Sequence, residues 1–383
     1  MLSFDKHTDR KGTFSQKWDK YKGQDILPMW VADTDFEVPE AIRKALHERV
    51  DHGIFGYTKP PAQLTQVIVE RLAKLYQWEV KPEWVVYLPG LVPGLNLACR
   101  SLISKEQRVI SPKPIYPPFM SAPRLSEREL LTIPMKENGD RWVMDLDELA
   151  KQLRENELQG SLLLFCNPHN PGGTVYTREE LLALGKLCEV FDLIVCSDEI
   201  HCDLLLEPGL KHIPFASLSA ELGERTVTLM APSKTFNIAG LGCSFALIPN
   251  ATLRQKFEHA GRGILPDVSL LALTAAEAAY REGDAWLEDQ LNYLRRNRDY
   301  CIERINKMPG LSLKPIEATY LAWIDATDTG LENPQKFFEE HGVGLSPGQD
   351  FGNPRYVRLN FGCTFHTLKE GLDRMESALK NHN

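Results

Sequence analysis

The sequence predicts an α/β fold in which a large, mostly parallel β-sheet is covered by helices on both faces. Short apolar runs bounded by turn-forming residues alternate with amphipathic helical patterns through the middle of the chain, which is typical of strands buried on both sides. After about residue 284 this alternation gives way to a long helical pattern and a smaller α+β unit. At 383 residues the chain is long enough for two domains.

The predicted strands of the sheet are short apolar or β-branched runs. In chain order they are WVVYL (84–88), RVISP (108–112), ELLTIPM (129–135), SLLLFCNP (161–168), LIVCSDE (193–199), TVTLMAPSK (226–234) and CSFALIP (243–249). The segment after the fourth strand has Thr177 and Glu180 at the spacing of a capping box and repeats leucines at helical intervals, which predicts a helix there.

The rest of the chain is predicted to form a smaller domain. The first 45 residues lack the strand–helix alternation, and the segment after residue 284 starts with one long helix that is polar on one side. We therefore expect a large domain over residues 46–284 and a small domain built from both termini, 1–45 and 285–383.

Composition and charge limit the kinds of binding partner and the cellular compartment that the sequence predicts. The chain has 44 Lys and Arg against 52 Asp and Glu, a net charge of −8, which argues against nucleic acid or an anionic membrane surface. It contains no apolar run of about 18 residues, so no membrane span is predicted. The eight cysteines show no C-x-x-C pairing, and several lie in apolar runs. Together with the absence of an apolar leader, this predicts free thiols in a cytoplasmic protein.

Polar side chains follow three of the predicted strands. Asn167 and Asn170 come after one strand, Asp198 after the next, and Lys234 after a third. Ligands of doubly wound sheets bind at the carboxyl ends of the strands. The sequence therefore predicts that these side chains share one site. The alternative for Lys234 taken alone is a surface turn.

This set of residue types suits pyridoxal phosphate. A desolvated lysine can react with an aldehyde, and a buried aspartate can hold a proton on a pyridine nitrogen. The PGLVPG segment (89–94), between a strand and a helix, offers backbone N–H groups to a phosphate. That segment is not G-x-G-x-x-G, and by itself it is equally consistent with a tight turn.

Six short motifs, in a fixed order along the chain, make it resemble a known enzyme family. From about residue 24 to 365 it resembles the fold-type I pyridoxal-phosphate enzymes, and among them the class-II aminotransferase-like C–S lyases, the MalY/PatB group of cystathionine β-lyases. The motifs, in chain order, are MWVADTDF, PIYPPF, NPHNPGG, SDEIH, SKTFNIAGLG and RLNFGC.

The resemblance implies a role for each site residue. Lys234 corresponds to the Schiff-base lysine and is the catalytic residue, and Asp198 corresponds to the partner of the pyridine nitrogen. Arg358 corresponds to the arginine that binds the substrate α-carboxylate, with Asn170 near both substrate and ring hydroxyl. The remaining residues implied to contact the cofactor are Ser233, Gly90, Leu91, Val92, Tyr116, His201 and Tyr57, the last reaching the phosphate of a neighbouring subunit in a homodimer.

Other readings stay open for several of these positions. Tyr116 lies among prolines and could be a structural turn residue, and Arg358 could lie on a solvated strand face. His201 stands where aminotransferases often have a ring-binding tyrosine, and a packed histidine is as good a reading. Trp30 and Asp33 could line the entrance, although core packing is the simpler reading for the tryptophan.

Two positions depart from the family pattern. Gly172 stands where threonine is common, which predicts a looser loop, and Gly242 stands where many aminotransferases have a phosphate-binding arginine. The second departure favours a lyase that cleaves cystathionine or another S-substituted cysteine to pyruvate, ammonia and a thiol. The alternatives are an aminotransferase acting on an amino acid and a 2-oxo acid, and a protein of this fold that binds a regulatory partner.

Overall fold

The computed structural model describes residues 4–382, so residues 1–3 and 383 of the predicted small domain lie outside the described residues. In this part of the chain the strands are β1 (Leu27–Pro28), β2 (Val85–Leu88), β3 (Val109–Lys113), β4 (Leu130–Asn138), β5 (Arg141–Met144), β6 (Leu162–Cys166), β7 (Ile194–Asp198), β8 (Thr226–Met230), β9 (Ser244–Leu247), β10 (Leu321–Asp325), β11 (Val343–Gly344), β12 (Ser346–Pro347) and β13 (Tyr356–Asn360).

Helices connect and cover these strands. They are α1 (Gln16–Asp19), α2 (Glu40–Asp51), α3 (Ala62–Tyr76), α4 (Leu91–Ser101), α5 (Pro118–Leu125), α6 (Leu146–Glu155), α7 (Arg178–Val190), α8 (Ala220–Glu224), α9 (Ala251–Gly261), α10 (Leu270–Glu282), α11 (Asp284–Ile305), α12 (Pro334–Glu340), α13 (Gly348–Phe351) and α14 (Phe365–His382). None of the helices within residues 4–382 is both long and apolar enough to cross a membrane.

The central sheet has eight strands in the order β2-β9-β8-β7-β6-β3-β4-β5. The five strands from β8 to β4 run parallel, and antiparallel pairs lie at both edges. In β6, Leu162 and Leu164 belong to one core cluster, whereas Leu163 and Phe165 belong to another. Successive residues of a strand point to opposite faces, so both faces of the sheet are covered. This confirms the predicted fold class.

Two local predictions can be compared with the structure. Thr177 and Glu180 form the predicted capping box at the start of α7. The PGLVPG segment, however, is mostly helix rather than a loop, because α4 already begins at Leu91. Pro93 fits the first turn of this helix, where an N–H has no partner to lose.

Smaller sheets join the two ends of the chain. Strands β10, β13 and β12 form an antiparallel sheet that carries Arg358 at its centre. Strand β1 pairs in parallel with β11, which ties the N-terminal segment to the C-terminal part of the chain. The domain boundaries at residues 45/46 and 284/285 stay a prediction.

Candidate active site

The predicted strand-end residues meet at one edge of the central sheet. Cys166, the last residue of β6, lies opposite Asp198, the last residue of β7, and Asp198 in turn lies opposite Leu229 in β8. A cavity opens at this edge. The predicted site residues that line it are Gly90, Leu91, Val92, Tyr116, Asn170, Asp198, His201, Ser233 and Lys234.

Lys234 follows β8 in a loop and points to the N-terminal part of the chain. Its Nζ donates a hydrogen bond to the backbone carbonyl of Ala32 at 2.6 Å. Burial lowers the pKa of Lys234 to about 8, and the positive charge of Arg358 acts in the same direction, while Asp33 and Asp198 oppose the shift. With this pKa a fraction of Lys234 is a neutral amine near physiological pH, the form that a base or nucleophile requires.

Asp198 is buried at the end of its strand. The backbone N–H of Ile200 donates to its Oδ1 at 3.1 Å. Burial raises the pKa of Asp198 to about 7, with a further contribution from Glu199, although the Ile200 N–H and Lys234 counteract the rise. The carboxylate therefore lacks enough positive charge around it to be fully ionised, and a cationic ring nitrogen would supply that charge.

His201 is a buried, neutral histidine on the cavity wall. Burial lowers its pKa to about 3, and the positive charges of Lys234 and Arg358 lower it further. Within residues 4–382 its Nδ1 has no hydrogen-bond partner. Its ring lies edge-on to Tyr320, with 6.3 Å between the ring centroids. A buried ring nitrogen without a partner indicates that a ligand group completes its hydrogen bonding.

Arg358 is buried on β13, and no carboxylate within residues 4–382 lies in salt-bridge distance of it. It donates to Asn170 Oδ1 and to the Trp30 carbonyl, both at 3.0 Å, and to Ser346 Oγ at 3.4 Å. Burial lowers its pKa to about 10. A buried guanidinium that faces only neutral acceptors is a binding site for an anion. The solvated-face reading of Arg358 is wrong.

The start of α4 offers a second anion site. Gly90 precedes the helix, and Leu91 and Val92 lie in its first turn, where backbone N–H groups have no partner within the helix. The nearly buried Ser233 lies on the same cavity. These groups suit a phosphate.

Tyr116 and Asn170 are joined through the backbone. The N–H of Tyr116 donates to the carbonyl of Asn170 at 3.1 Å, and both residues line the cavity. Burial raises the pKa of the Tyr116 hydroxyl, and Arg358 offsets part of this rise. Its place on the cavity wall supports a role for Tyr116 in ligand binding rather than as an isolated turn residue.

Tyr57 lies apart from the cavity. It is fully exposed, in a segment without helix or strand between α2 and α3, and Ile54 and Phe55 beside it are also exposed. The structure of one chain does not bring Tyr57 to the other predicted site residues, and its role stays a prediction.

At the two positions that depart from the family pattern, steric crowding explains why the residue is glycine. Gly242 has φ +75°, and a Cβ there would lie 3.0 Å from the carbonyl oxygen of Pro89. A Cβ on Gly172 would lie 2.8 Å from Nδ1 of His169. The loop around Gly172 is thus closely packed, and the expectation that this glycine loosens it is wrong.

One element of the site was missed from the sequence. Residues 30–36, hereafter the N-terminal strip, supply backbone carbonyls: that of Trp30 accepts from Arg358, and that of Ala32 accepts from Lys234 and from the hydroxyl of Tyr320. The MWVADTDF motif (29–36) covers the whole strip. A carbonyl belongs to every residue type, however, so no letter of the motif could have indicated this role.

The chain is similar to several known proteins over nearly its whole length. The family model described as "Aminotransferase class I and II" matches residues 25–375. Cystathionine beta-lyase PatB of Bacillus subtilis (strain 168) is 39% identical over 389 residues, covering 99% of this chain and 100% of that protein. The crystal structure of OvoB is 51% identical, covers 99% of both chains and superimposes with a TM-score of 0.95. The PLP-bound C–S lyase from Staphylococcus hominis is 31% identical, with a TM-score of 0.92 and coverage of 99% and 98%.

Proposed function

The chain belongs to the class I and II aminotransferase family, and from this premise we propose that it is a pyridoxal-phosphate-dependent carbon–sulfur β-lyase. Its substrate is cystathionine or another S-substituted L-cysteine, and its products are pyruvate, ammonia and a thiol. The observation that carries the proposal is that Lys234, Asp198 and Asn170 line one cavity, and that Asn170 accepts a hydrogen bond from the buried Arg358, which has no carboxylate partner within residues 4–382. The names of the relatives favour elimination over transamination.

The residues present fit pyridoxal phosphate. Asp198 needs a cation, the start of α4 and Ser233 need an anion, and His201 has a free ring nitrogen. Asp198 would hold the ring nitrogen, residues 90–92 with Ser233 would hold the phosphate, and Lys234 would hold the aldehyde carbon. When bound, the cofactor supplies a ring that accepts the electron pair left on the substrate Cα.

The chain's own side chains then bind the substrate and move one proton. Arg358 binds the α-carboxylate, and its contact with Asn170 fixes the plane of the guanidinium. Lys234, as a neutral amine, removes the proton from Cα. The electron pair of the broken Cα–H bond forms the Cα=Cβ bond as the Cβ–S bond breaks, and Lys234 can pass its proton to the departing thiolate. Water then hydrolyses the released aminoacrylate to pyruvate and ammonia. Asp198 keeps the proton on the ring nitrogen throughout, because its own negative charge is stabilised by that proton.

A homodimer in the cytoplasm completes the proposal. In this dimer a second copy would cover Tyr57 and its exposed neighbours Ile54 and Phe55, and Tyr57 would reach the phosphate bound by that copy; the exposure of three adjacent apolar or aromatic side chains supports this. All eight cysteines are buried free thiols, which supports a reducing compartment.

The test of the reaction type uses cystathionine without any 2-oxo acid. We expect pyruvate, ammonia and homocysteine in equal amounts. Turnover that requires 2-oxoglutarate and yields glutamate would replace the lyase with an aminotransferase. Recovery of the protein with a stable partner but without turnover of any amino acid would support the regulatory alternative.

A further inference from the structure

A second cavity adjoins the first on the side of the N-terminal segment. Ala32, Lys234 and Ala239 line both cavities, so the lysine lies between them. The second cavity is otherwise bordered by residues between 8 and 16, by residues 31–38 and by the loop after Lys234. The mechanism proposed above gives no role to this space.

The N-terminal strip sets the order of the groups that a substrate would meet. Trp30 contacts Arg358, Ala32 contacts Lys234, and Asp33 contacts Arg10 in the second cavity. If the substrate carboxylate lies on Arg358 and its Cα near Lys234, an S-substituent directed along the strip would reach Arg10 and Asp33.

The strip is held firmly beside the lysine. The side chain of Asn237 accepts a hydrogen bond from the N–H of Thr34 at 3.1 Å and donates to the carbonyls of Thr34 and Phe36 at 3.0 and 2.9 Å. Asn237 belongs to the same loop as Lys234. The second cavity thus has a fixed position relative to the reacting atoms.

Two cations and two anions form an ion cluster on the wall of this cavity. Arg10 contacts Asp33 and Asp35, each at 2.7 Å, and Lys17 contacts Asp35 at 2.9 Å. Lys17 and Asp35 are only 1% and 8% exposed, whereas Arg10 and Asp33 are 22% and 21% exposed. The accessible members are therefore one guanidinium and one carboxylate, side by side, and the cluster as a whole is neutral.

We propose that this second cavity receives the S-substituent of the substrate and that Arg10 and Asp33 select substituents ending in a zwitterionic amino-acid head group. The inference rests on the proposed lyase function. A head group with one carboxylate and one ammonium matches Arg10 and Asp33 charge for charge and leaves the cluster neutral. A simple alkyl group would gain no polar contact with Arg10 and Asp33, which already bond to each other, and a singly charged group would be matched on one side only.

The experiment compares kcat/KM for L-cystathionine and S-ethyl-L-cysteine, measured as pyruvate release by the holoenzyme. The two substrates share the reacting cysteine half and differ in the head group. We expect the parent to prefer cystathionine, and we expect Arg10→Met and Asp33→Asn each to lower the ratio by about ten-fold, the size typical of a lost charge-assisted contact. Effects of these variants on Lys234 act on both substrates and cancel in the ratio.

Arg108→Met is the matched control, because Arg108 is a partly exposed arginine that pairs with Glu129, and neither residue borders the second cavity. Its ratio should equal that of the parent. An unchanged ratio in both Arg10→Met and Asp33→Asn, with pyruvate still formed, overturns the head-group site and leaves the lyase intact. No pyruvate from either substrate in the parent overturns the lyase itself. If Arg10→Met does not fold, as thermal unfolding would show, the ratio for Asp33→Asn decides.

Discussion

Two aspartates that are buried to a similar degree have pKa values shifted in opposite directions. Asp198 in the first cavity is 4% exposed, and Asp35 in the ion cluster is 8% exposed. Burial raises the pKa of Asp198 to about 7. Burial also acts to raise the pKa of Asp35, but Lys17, Trp18 and Arg10 together more than offset it and hold that pKa below the usual value.

The difference lies in the partners that the chain itself supplies. In the ion cluster every charge has a partner, so the cluster stabilises the N-terminal segment. In the first cavity Asp198 lacks a cation and His201 lacks a hydrogen-bond partner, and Arg358 beside the cavity lacks a carboxylate. Burying these groups costs stability that bound ligands recover. Of these two sites, the one with unsatisfied charges is the candidate binding site for cofactor and substrate, whereas the ion cluster contributes to stability.

Replacing Lys234, the proposed catalytic amine, tests the cavity side of this comparison with the largest expected effect. Lys234→Ala should lower pyruvate formation by about 10³-fold or more, because a base at Cα typically contributes 10²–10⁴-fold. Borohydride reduction of the parent followed by peptide mapping should find the cofactor attached to Lys234. A label on another lysine would contradict the assignment.

Breaking the ion cluster should mainly affect stability. Lys17→Met leaves Asp33 and Asp35 with less positive charge and should lower the free energy of unfolding by about 3–5 kcal/mol, measured with urea. The control is Lys6→Met, which removes an exposed lysine paired with Glu37 and should cost less than about 1 kcal/mol. Equal losses in the two variants would show that the cluster is not a stabilising core.

The pH dependence of the apoprotein compares the two aspartates directly. Because the folded-state pKa of Asp198 is raised, its charge destabilises the fold above pH 7, and this penalty disappears as the pH falls from about 7 to about 4. Asp198→Asn apoprotein should therefore be more stable than the parent near pH 8 by roughly 2–4 kcal/mol, with the advantage shrinking toward pH 4.

The control for that experiment is Asp35→Asn. The pKa of Asp35 is lowered, so its contribution is present above its ordinary value and is lost only as the pH falls through the folded-state pKa. This variant should be less stable than the parent near pH 8. A gain in stability for both variants, or for neither, would remove the distinction between cavity and cluster.

Removing Arg358, the buried cation without a carboxylate partner, should weaken substrate binding. Arg358→Met should raise KM for every amino-acid substrate, because all share the α-carboxylate. The increase should correspond to a loss of binding free energy on the order of 1.5–3 kcal/mol. Arg355→Met, an exposed arginine three positions earlier, is the matched control and should leave KM unchanged. Equal KM values for Arg358→Met and the parent would mean that the anion bound by this arginine is not the substrate.

The smallest expected effect concerns the proposed contact of Tyr57 with the phosphate site of a second copy. Tyr57→Phe removes one hydroxyl and should weaken cofactor retention by about 0.5–1.5 kcal/mol, the range of a single hydrogen bond. Spectroscopic titration of the apoprotein with cofactor measures this change. A fully active monomer by light scattering would contradict the shared site.

The sheet could be predicted because its strands have an unmistakable pattern. A strand buried on both faces, such as β6, is apolar at every position, and its ends are marked by turn-forming residues. The predicted strand 161–168 became Leu162–Cys166, and 193–199 became Ile194–Asp198. The start of α4 was placed too late because its first turn contains Pro and Gly, which also form loops.

The site could be predicted only in part. Side chains with distinctive chemistry, such as Lys234 and Arg358, were found from motifs. The carbonyls of the N-terminal strip were not, since Ala32 and Lys234 are 202 positions apart and only folding brings them together. The ion cluster was missed for a similar reason, because Arg10 and Lys17 look like ordinary surface residues until their distant carboxylates are known.

The carbonyl of Ala32 has a further consequence for turnover. It accepts hydrogen bonds from both Lys234 and Tyr320, at 2.6 and 3.0 Å. When the amine moves away to react, the tyrosine hydroxyl still satisfies this carbonyl, so the departure leaves no unpaired acceptor behind. The lysine thus has a resting position that it can leave and regain in every catalytic cycle while the strip around it stays in place.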